Sequence, residues 1–539
     1  MERSLAPIGM TRKCYPVFPL TRLPAYPLTR LPLTFAAMHA PACAFVIAAA
    51  LTGALAPARA MAQASAYISL DDPRLPLLEH LIARGDIHDP SPMVRPFRRA
   101  DAVRVLAAAE SSAVGPSALI RRLRAELEDL PETSWSLDGR AGAQAYSHAR
   151  RELLHPAGPS GARPYVELRG TATFGSIIAV TRPVIEPRVT DDLDWPGRRD
   201  VDVAGRMVDA YLSAQFKYAT LLYGQLDRNW GPPGLPGLPI SGYAYEREGL
   251  ALELGTSKLR LSALATDLHD EIDSLGQTVH RYYFLHRLQS DLSPRLSLAL
   301  WEGVVLAGAD RNFETRYRNP LSLSYLASTI GLGDRGNVLL GVDARWRAFG
   351  RTTLQAQIAV DDFWYQNRQR NRDRWGFTLS AEGPLSGAAA WHGLYTQVSS
   401  LALRAFNPHE NFTDAGTGIG RNFSDYDQLS LRVTLPVKKR WLVSPELTVL
   451  RQGEGRINTP YPVPDANGVL DTPSLFIGVL ERTYRAAVAL SGGAGPLELA
   501  GEAGLHHVVN DGHVAGRTED RLVGRIQATL GFSRRGVLR

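Results

Sequence analysis

From about residue 138 onward, the hydropathy of this chain alternates with a period of two, and its connections alternate between short and long. In "VDAYLSAQFKY", Val208, Ala210, Leu212, Ala214, Phe216 and Tyr218 are interleaved with Asp209, Tyr211, Ser213, Gln215 and Lys217. "LQAQIAVD" sets Leu354, Ala356, Ile358 and Val360 against Gln355, Gln357, Ala359 and Asp361, and "LSLRVTL" and "LELAGEAGL" repeat the pattern. Successive side chains of a strand point to opposite faces, so each run presents one apolar and one polar face. Short turns fall near 219–220, 255–257, 293–294, 348–350, 383–388, 437–439 and 492–496. Longer segments lie at 182–204, 231–247, 269–280, 307–335, 364–373, 400–424, 452–474 and 509–519. A sandwich or propeller has no reason to sort its loops by parity. A membrane-spanning barrel does, with tight turns at one end and long loops at the other.

Such a barrel satisfies every backbone hydrogen bond without an exposed edge. Trp230, Trp301, Trp364, Trp375 and Trp441 sit near expected strand ends, where interfacial aromatics belong. The last run, "RLVGRIQATLGF", ends its apolar face on Phe532, as outer-membrane barrels do near their C-terminus, and Ser533–Arg539 follow. Sixteen strands are legible from residue 164, and a weaker alternation at 139–151 adds one. With both ends on the periplasmic side the number is even, which places one more strand within 164–204. The expected fold is an all-β transmembrane barrel of about 18 antiparallel strands behind a small periplasmic helical bundle.

The pI of 9.3 would point to nucleic acid if the charge were spread along the chain. It is not, because residues 1–66 carry +5 of the total +6. Nucleic acid is therefore not an expected partner. "PACAFVIAAALTGALAPARAMAQASA" reads as a signal peptide, with small residues at alternate positions after an apolar run too short to span a bilayer. Residues 1–64 are assigned to leader and signal peptide, with translation expected to start near Met38. Both cysteines, Cys14 and Cys43, fall in that leader, so the exported chain needs no disulfides. Three amphipathic helices follow in 71–130, through Leu75, Leu78, Leu81 and Ile82, then Val103 and Leu106, then Leu119, Leu123 and Leu127. Residues 67–135 form the expected periplasmic helical region and 138–533 the barrel.

Several stretches, in order, resemble the Wzi family of capsule-assembly outer-membrane proteins. They are "YISLDDPRLPLLEHLIARGDI" with "VRPFRRADAVRVLAAA", "YGQLDRNWGPP", "RYYFLHRL" with "LALWEGVVL", "GVDARWRAFGRTTLQAQIAVDDFW", and "IGRNFSDYDQLSLRV" with "VLRQGEGR". The resemblance spans roughly residues 67–532. It implies a non-enzymatic, lectin-like protein of the cell outer membrane that binds capsular or exopolysaccharide and helps retain it. The implied partners are that polymer, outer-membrane lipid and polysaccharide export machinery, with the protein itself a monomer. A sugar-selective or general porin is the alternative, since a barrel of this size can hold an aqueous channel.

The candidate polysaccharide contacts are Asp227, Arg228 and Trp230, expected at the rim where "YGQLDRNWGPPGLPGLP" turns from a strand at 221–230 into an outer loop at 231–247. The plainer alternative makes Trp230 an interfacial anchor and the loop a plug. A second set is Asp361, Asp362, Trp364 and Tyr365 at another expected strand top. Neighbouring carboxylates on a strand face opposite ways, so Asp361 and Asp362 do not form a glycosidase pair. His506, His507 and His513 lack the partners a metal site needs, and no cofactor motif or nucleophile elbow occurs. Arg260, Arg287, Glu302 and Arg432 are expected to form a charge network inside the barrel.

Overall fold

The computed structural model describes residues 63–538, apart from 112–117, 130–132, 326–335, 363–372 and 438–439. The expected leader and Met38 start lie outside the described residues. Three helices come first: α1 (Leu75–Ala83), α2 (Arg99–Glu110) and α3 (Ala118–Leu127). The first strands are β1 (Thr133–Tyr146), β2 (Gly161–Phe174), β3 (Ile177–Ile185), β4 (Gly205–Gln215) and β5 (Ala219–Gln225). Then come β6 (Glu248–Gly255), β7 (Leu259–Ile272), β8 (Thr278–Ser293), β9 (Leu296–Gly308) and β10 (Asn337–Arg347). β11 (Thr353–Asp362), β12 (Arg374–Pro384), β13 (Ala390–Val398) and β14 (Tyr426–Val437) continue the wall. It ends with β15 (Trp441–Gln452), β16 (Glu481–Ala494), β17 (Leu497–Val509) and β18 (Thr518–Val537).

These eighteen strands form one closed antiparallel barrel. β1 closes it, pairing with β2 on one side and β18 on the other, so that Gly142 lies opposite both Tyr165 and Thr529. The alternation at 139–151 is therefore the first strand, and the strand expected within 164–204 is resolved as β2 and β3. The connection 147–160 is a further long loop. The one at 273–277 is shorter than expected because β7 and β8 extend their pairing to Ile272 and Thr278. β18 continues five residues past Phe532, since β1 begins at Thr133 and offers partners as far as Val537.

The outer face is apolar, with Leu300, Leu447, Leu505 and Leu522 exposed, as a barrel in the outer membrane requires. Exposed Trp135 and Trp346, with Trp441, mark the short-turn end of this face, and Tyr223 and Tyr484 mark the long-loop end. Trp301 does not belong to this belt. It faces the lumen, 4% exposed, and donates to Asp343 at 2.9 Å, because its strand parity points it inward. Glu302 consequently points outward. There it meets His286 at 3.0 Å and receives the Ser324 N–H at 2.8 Å, under the loop that follows β9.

The main core lies inside the barrel. Residues 63–98 thread through the short-turn end and run along β4: Ser65 and Gln215 exchange two hydrogen bonds, the Tyr67 N–H reaches the Tyr211 hydroxyl, and Ser69 donates to Asp209 at 2.6 Å. Arg182 ties the same segment to the wall through Asp71 at 2.7 Å and Asp209 at 2.9 Å. The helices pack on one another at the short-turn end, where Arg84 donates to the carbonyls of Gly387 and Ala389. From the long-loop end, 226–247 folds inward, and Trp230, Leu238 and Ile240 pack with Tyr283, Leu285, Phe412 and Ile419.

Candidate functional site

The Gly-Pro segment explains how the inward loop is built. Val94–Arg95 pairs antiparallel with Asn229–Trp230 in the lumen, and the Gly231 N–H donates to the Met93 carbonyl. The chain then doubles back so tightly that a Cβ on Gly237 would sit 2.0 Å from the Trp230 carbonyl oxygen. Gly234 adopts a φ of +85°, which favours glycine. The prolines stiffen a segment that joins no strand ladder of the wall. Trp230 is accordingly a lumenal core residue, 4% exposed, and not a rim aromatic, because its neighbours dive into the barrel instead of rising from it. Arg228 turns back to donate to the Leu226 carbonyl at 2.9 Å.

Asp227 is placed differently from its neighbours. Half-buried, it lines a lumenal cavity of about 730 Å³ and makes no hydrogen bond or ion pair among the described residues. Burial pushes its carboxyl up to about 6, against the pull of Arg151 and Arg206. Arg206 is committed to Glu186 at 2.9 Å and to Glu246. Arg151, from the loop 147–160, donates to the Tyr243 carbonyl and lies 4.1 Å from the Tyr245 ring centroid, but has no carboxylate partner among the described residues. Arg525, on β18, donates only to the Arg151 carbonyl at 3.4 Å. A bare carboxylate, two unpaired guanidiniums and tyrosines therefore meet around polar space, the mixture of acceptors, donors and aromatic faces that grips hydroxyl-rich ligands.

A second cavity of about 520 Å³ shares Arg151 and Arg525 with the first and reaches toward the long loops, where it is lined by Glu152 and Tyr243. Its roof is braced by Arg150 on Asp194 at 3.0 Å, by the Tyr243 hydroxyl on Asp194 at 2.9 Å, and by His155 stacked 3.6 Å from Phe423. Glu152 accepts the Leu154 and His155 N–H groups and the His155 side chain. Burial opposes its ionisation, but these contacts hold its carboxyl below the usual range.

The second expected cluster is structural where it is described. Asp361 accepts the Leu403 N–H at 2.9 Å and so anchors the loop 399–425 to β11. Asp362 lies in register opposite Arg374, and Trp364 and Tyr365 lie outside the described residues. The three histidines are separate: His506 accepts from Arg485, His507 meets Asp520 on the outer face, and His513 meets Arg456. Among the described residues no group of His, Cys, Asp and Glu is arranged to hold a metal. Of the expected charge network, Arg287 pairs with Asp343, Arg432 with Glu446, and Arg260 reaches Ser91.

Arg151, Tyr243 and Arg525 are the site residues that sequence reasoning missed. For Arg151 and Arg525 the signal was a charged residue on the lumenal parity of a strand or just beyond a strand end, which many structural residues share; Tyr243, inside the inward loop, had none.

The sequence matches no protein-family model and no curated protein. Among solved structures, the chain is similar to Wzi, described as an outer membrane protein involved in group 1 capsule assembly in Escherichia coli and a carbohydrate-binding β-barrel. The match covers 88% of this chain and 100% of that one, with a TM-score of 0.59 and 13% identity. It is also similar to OprD (OccD1), over 75% of this chain and 96% of that one, with a TM-score of 0.44 and 11% identity. At these identities the likeness is one of fold.

Proposed function

We propose that the protein binds capsular or exopolysaccharide at its long-loop end and promotes attachment and assembly of the polymer at the cell surface, without catalysing a reaction on it. The observation that carries this reading is Asp227, a carboxylate with no hydrogen-bond or ion-pair partner among the described residues, which shares its cavity with Arg151 and Arg525, themselves without a carboxylate partner there, beneath a roof braced by Tyr243. The cavities are of saccharide size. The carbohydrate binding described for the structurally similar Wzi points the same way. Retention follows from avidity: each site holds a short stretch weakly, and a long polymer engages many copies at once. Within this reading the helices at the short-turn end of the expected 67–135 region are available to the export machinery, while its segment up to residue 98 also lies in the lumen as plug. The barrel expected over 138–533 runs from Thr133 to Val537, and a single chain suffices. In this proposal Arg228 and Trp230 support the site from the plug, Asp361 holds the loop 399–425 to β11, and Asp362, Trp364 and Tyr365 are further candidate contacts for the polymer.

The test is binding of purified surface polysaccharide to the purified protein, alongside cell-bound and released polymer in a deletion strain. Asp227→Asn and Arg151→Ala are expected to weaken binding, and the deletion to shed polymer at unchanged total synthesis. Unchanged binding in both variants, with unchanged partition of polymer, overturns the proposal.

A further inference from the structure

The plug fills the lumen on one side only. Along β4–β13 the inward side chains are sealed: Asp209, Ser213, Tyr283, Gln357, Thr378 and Thr396 are fully buried. Along β16, β17, β18 and β1 the seal is incomplete: Thr483, Arg485, His506, Val523 and Thr529 are buried, but a stretch between them is open. Ser491, Ala500, Gln527 and Gln144 form one cross-strand row on the lumenal face, in which Ala500 is exposed, Ser491 and Gln527 are half-buried and Gln144 is buried. A third cavity, of about 610 Å³, continues from there to the short turns at Arg440 and Pro496. It shares Asp72, Arg140, Gly492 and Glu498 with the middle cavity, which in turn shares Arg151 and Arg525 with the upper one. The three lie in series along one wall.

The wall is made for space. Ala489, Ser491, Gly493 and Ala500 present small side chains to the lumen, where the opposite wall carries Arg, Tyr and Gln packed against the plug. The charges on this side are unequal. Glu446 is paired with Arg432 and Arg485, Glu502 with Arg485, and Glu498 lies 3.7 Å from Arg140. Arg151 and Arg525 have no carboxylate partner among the described residues, two cations against the single partnerless carboxylate of Asp227 in the same cavity. We infer that this open side is a conduit that carries small organic carboxylates and other small anions past the plug, a function separate from polysaccharide retention. Arg525 and Arg151 draw the anion in, and Arg140, held by Glu167 at 2.7 Å and lying 3.7 Å from Glu498, stands with Glu498 where the middle and lower cavities meet, so that Glu498 opposes the passing anion there.

The experiment is conductance of the purified full chain in planar bilayers, with reversal potentials in a KCl gradient and uptake of acetate by proteoliposomes. The expected result is a small, anion-preferring conductance. Ala500→Trp fills the wall without touching plug or ion pairs and is expected to lower it roughly fivefold or more. Arg525→Glu is expected to shift the reversal potential toward cation preference, and Glu498→Ala to raise the conductance. A wild type that is silent, together with a silent Glu498→Ala variant that folds into a heat-modifiable barrel, overturns the inference. So does a conductance indifferent to Ala500→Trp.

Discussion

Val94 and Trp230 lie opposite each other in a two-residue ladder suspended inside the barrel, joining the segment that precedes the first strand to a loop from the far end of the wall. Neither partner belongs to the wall, so the ladder is what makes the two inserts one plug.

Trp230→Ala should therefore loosen the plug as a unit. Removing a buried indole costs about 3 to 5 kcal/mol. The unfolding midpoint in urea should fall accordingly, and protease should gain access to 63–98. A midpoint like that of the wild type would mean that the ladder carries no load.

Gly237→Ala should be nearly as damaging, although it adds one carbon. The new methyl would stand 2.0 Å from the Trp230 carbonyl oxygen, which is backbone and cannot swing aside. The expected loss is about 2 kcal/mol, read as a lower thermal midpoint. Alanine at Gly393, which like Gly237 has no positive φ but whose new Cβ would meet nothing closer than 3.8 Å, serves as the control.

The pH dependence of Asp227 has a defined sign. Its carboxyl is raised to about 6, so the folded state holds that proton more tightly than the unfolded chain does. Its contribution is fully present below the ordinary carboxylate range and is lost as the pH rises through about 6. Asp227→Asn should then be more stable than the wild type above about pH 7, by up to about 3 kcal/mol, and nearly indistinguishable near about pH 4. Thermal melts at both pH values decide it; destabilisation at the higher pH would reveal an ionic partner.

Asp425→Ala should release a loop while the barrel persists. This carboxylate accepts the N–H groups of Gly455, Phe476 and Ile477, tying both ends of the connection 453–480 to the entrance of β14. Each orphaned N–H costs about 1 to 3 kcal/mol if it stays buried, so the loop should open to water. Trypsin should then cut at Arg456 in intact cells, where the wild type resists.

The barrel was legible because lipid on one side and polar contents on the other force a period of two on every strand. Loop parity supplied the closure. Strand β1 was weakest in the sequence, since its outer face uses Ala141, Ala143 and Ala145 where other strands use leucine. The plug was not legible. Nothing local distinguishes a loop that rises from one that dives, and Trp230 satisfies either placement until its distant partners Val94 and Gln357 are known. Asp227 was found for its position beside Trp230, but its isolation from any partner is a property of the assembled lumen. The open wall left a fainter trace: "AAVALSGGAG" places Ala487, Ala489, Ser491 and Gly493 on the inward parity, an economy of volume that reads in a sequence as mere weakness of pattern.

The barrel closes through a seam whose two sides are the most widely separated strands of the chain, with Gln144 and Gln527 bonded across 383 residues. The segment 63–98 is made before any strand, yet it ends up encircled by all of them. The plug must therefore be in place, or the barrel still unsealed, when the last strand arrives. This makes assembly a matter of timing: the guest is synthesised first and the door is hung last. A long-range closure of this kind is slow, and the interval before β18 docks is the period in which the export pathway must shield the open strand edges of β1 and β17 from one another's wrong partners.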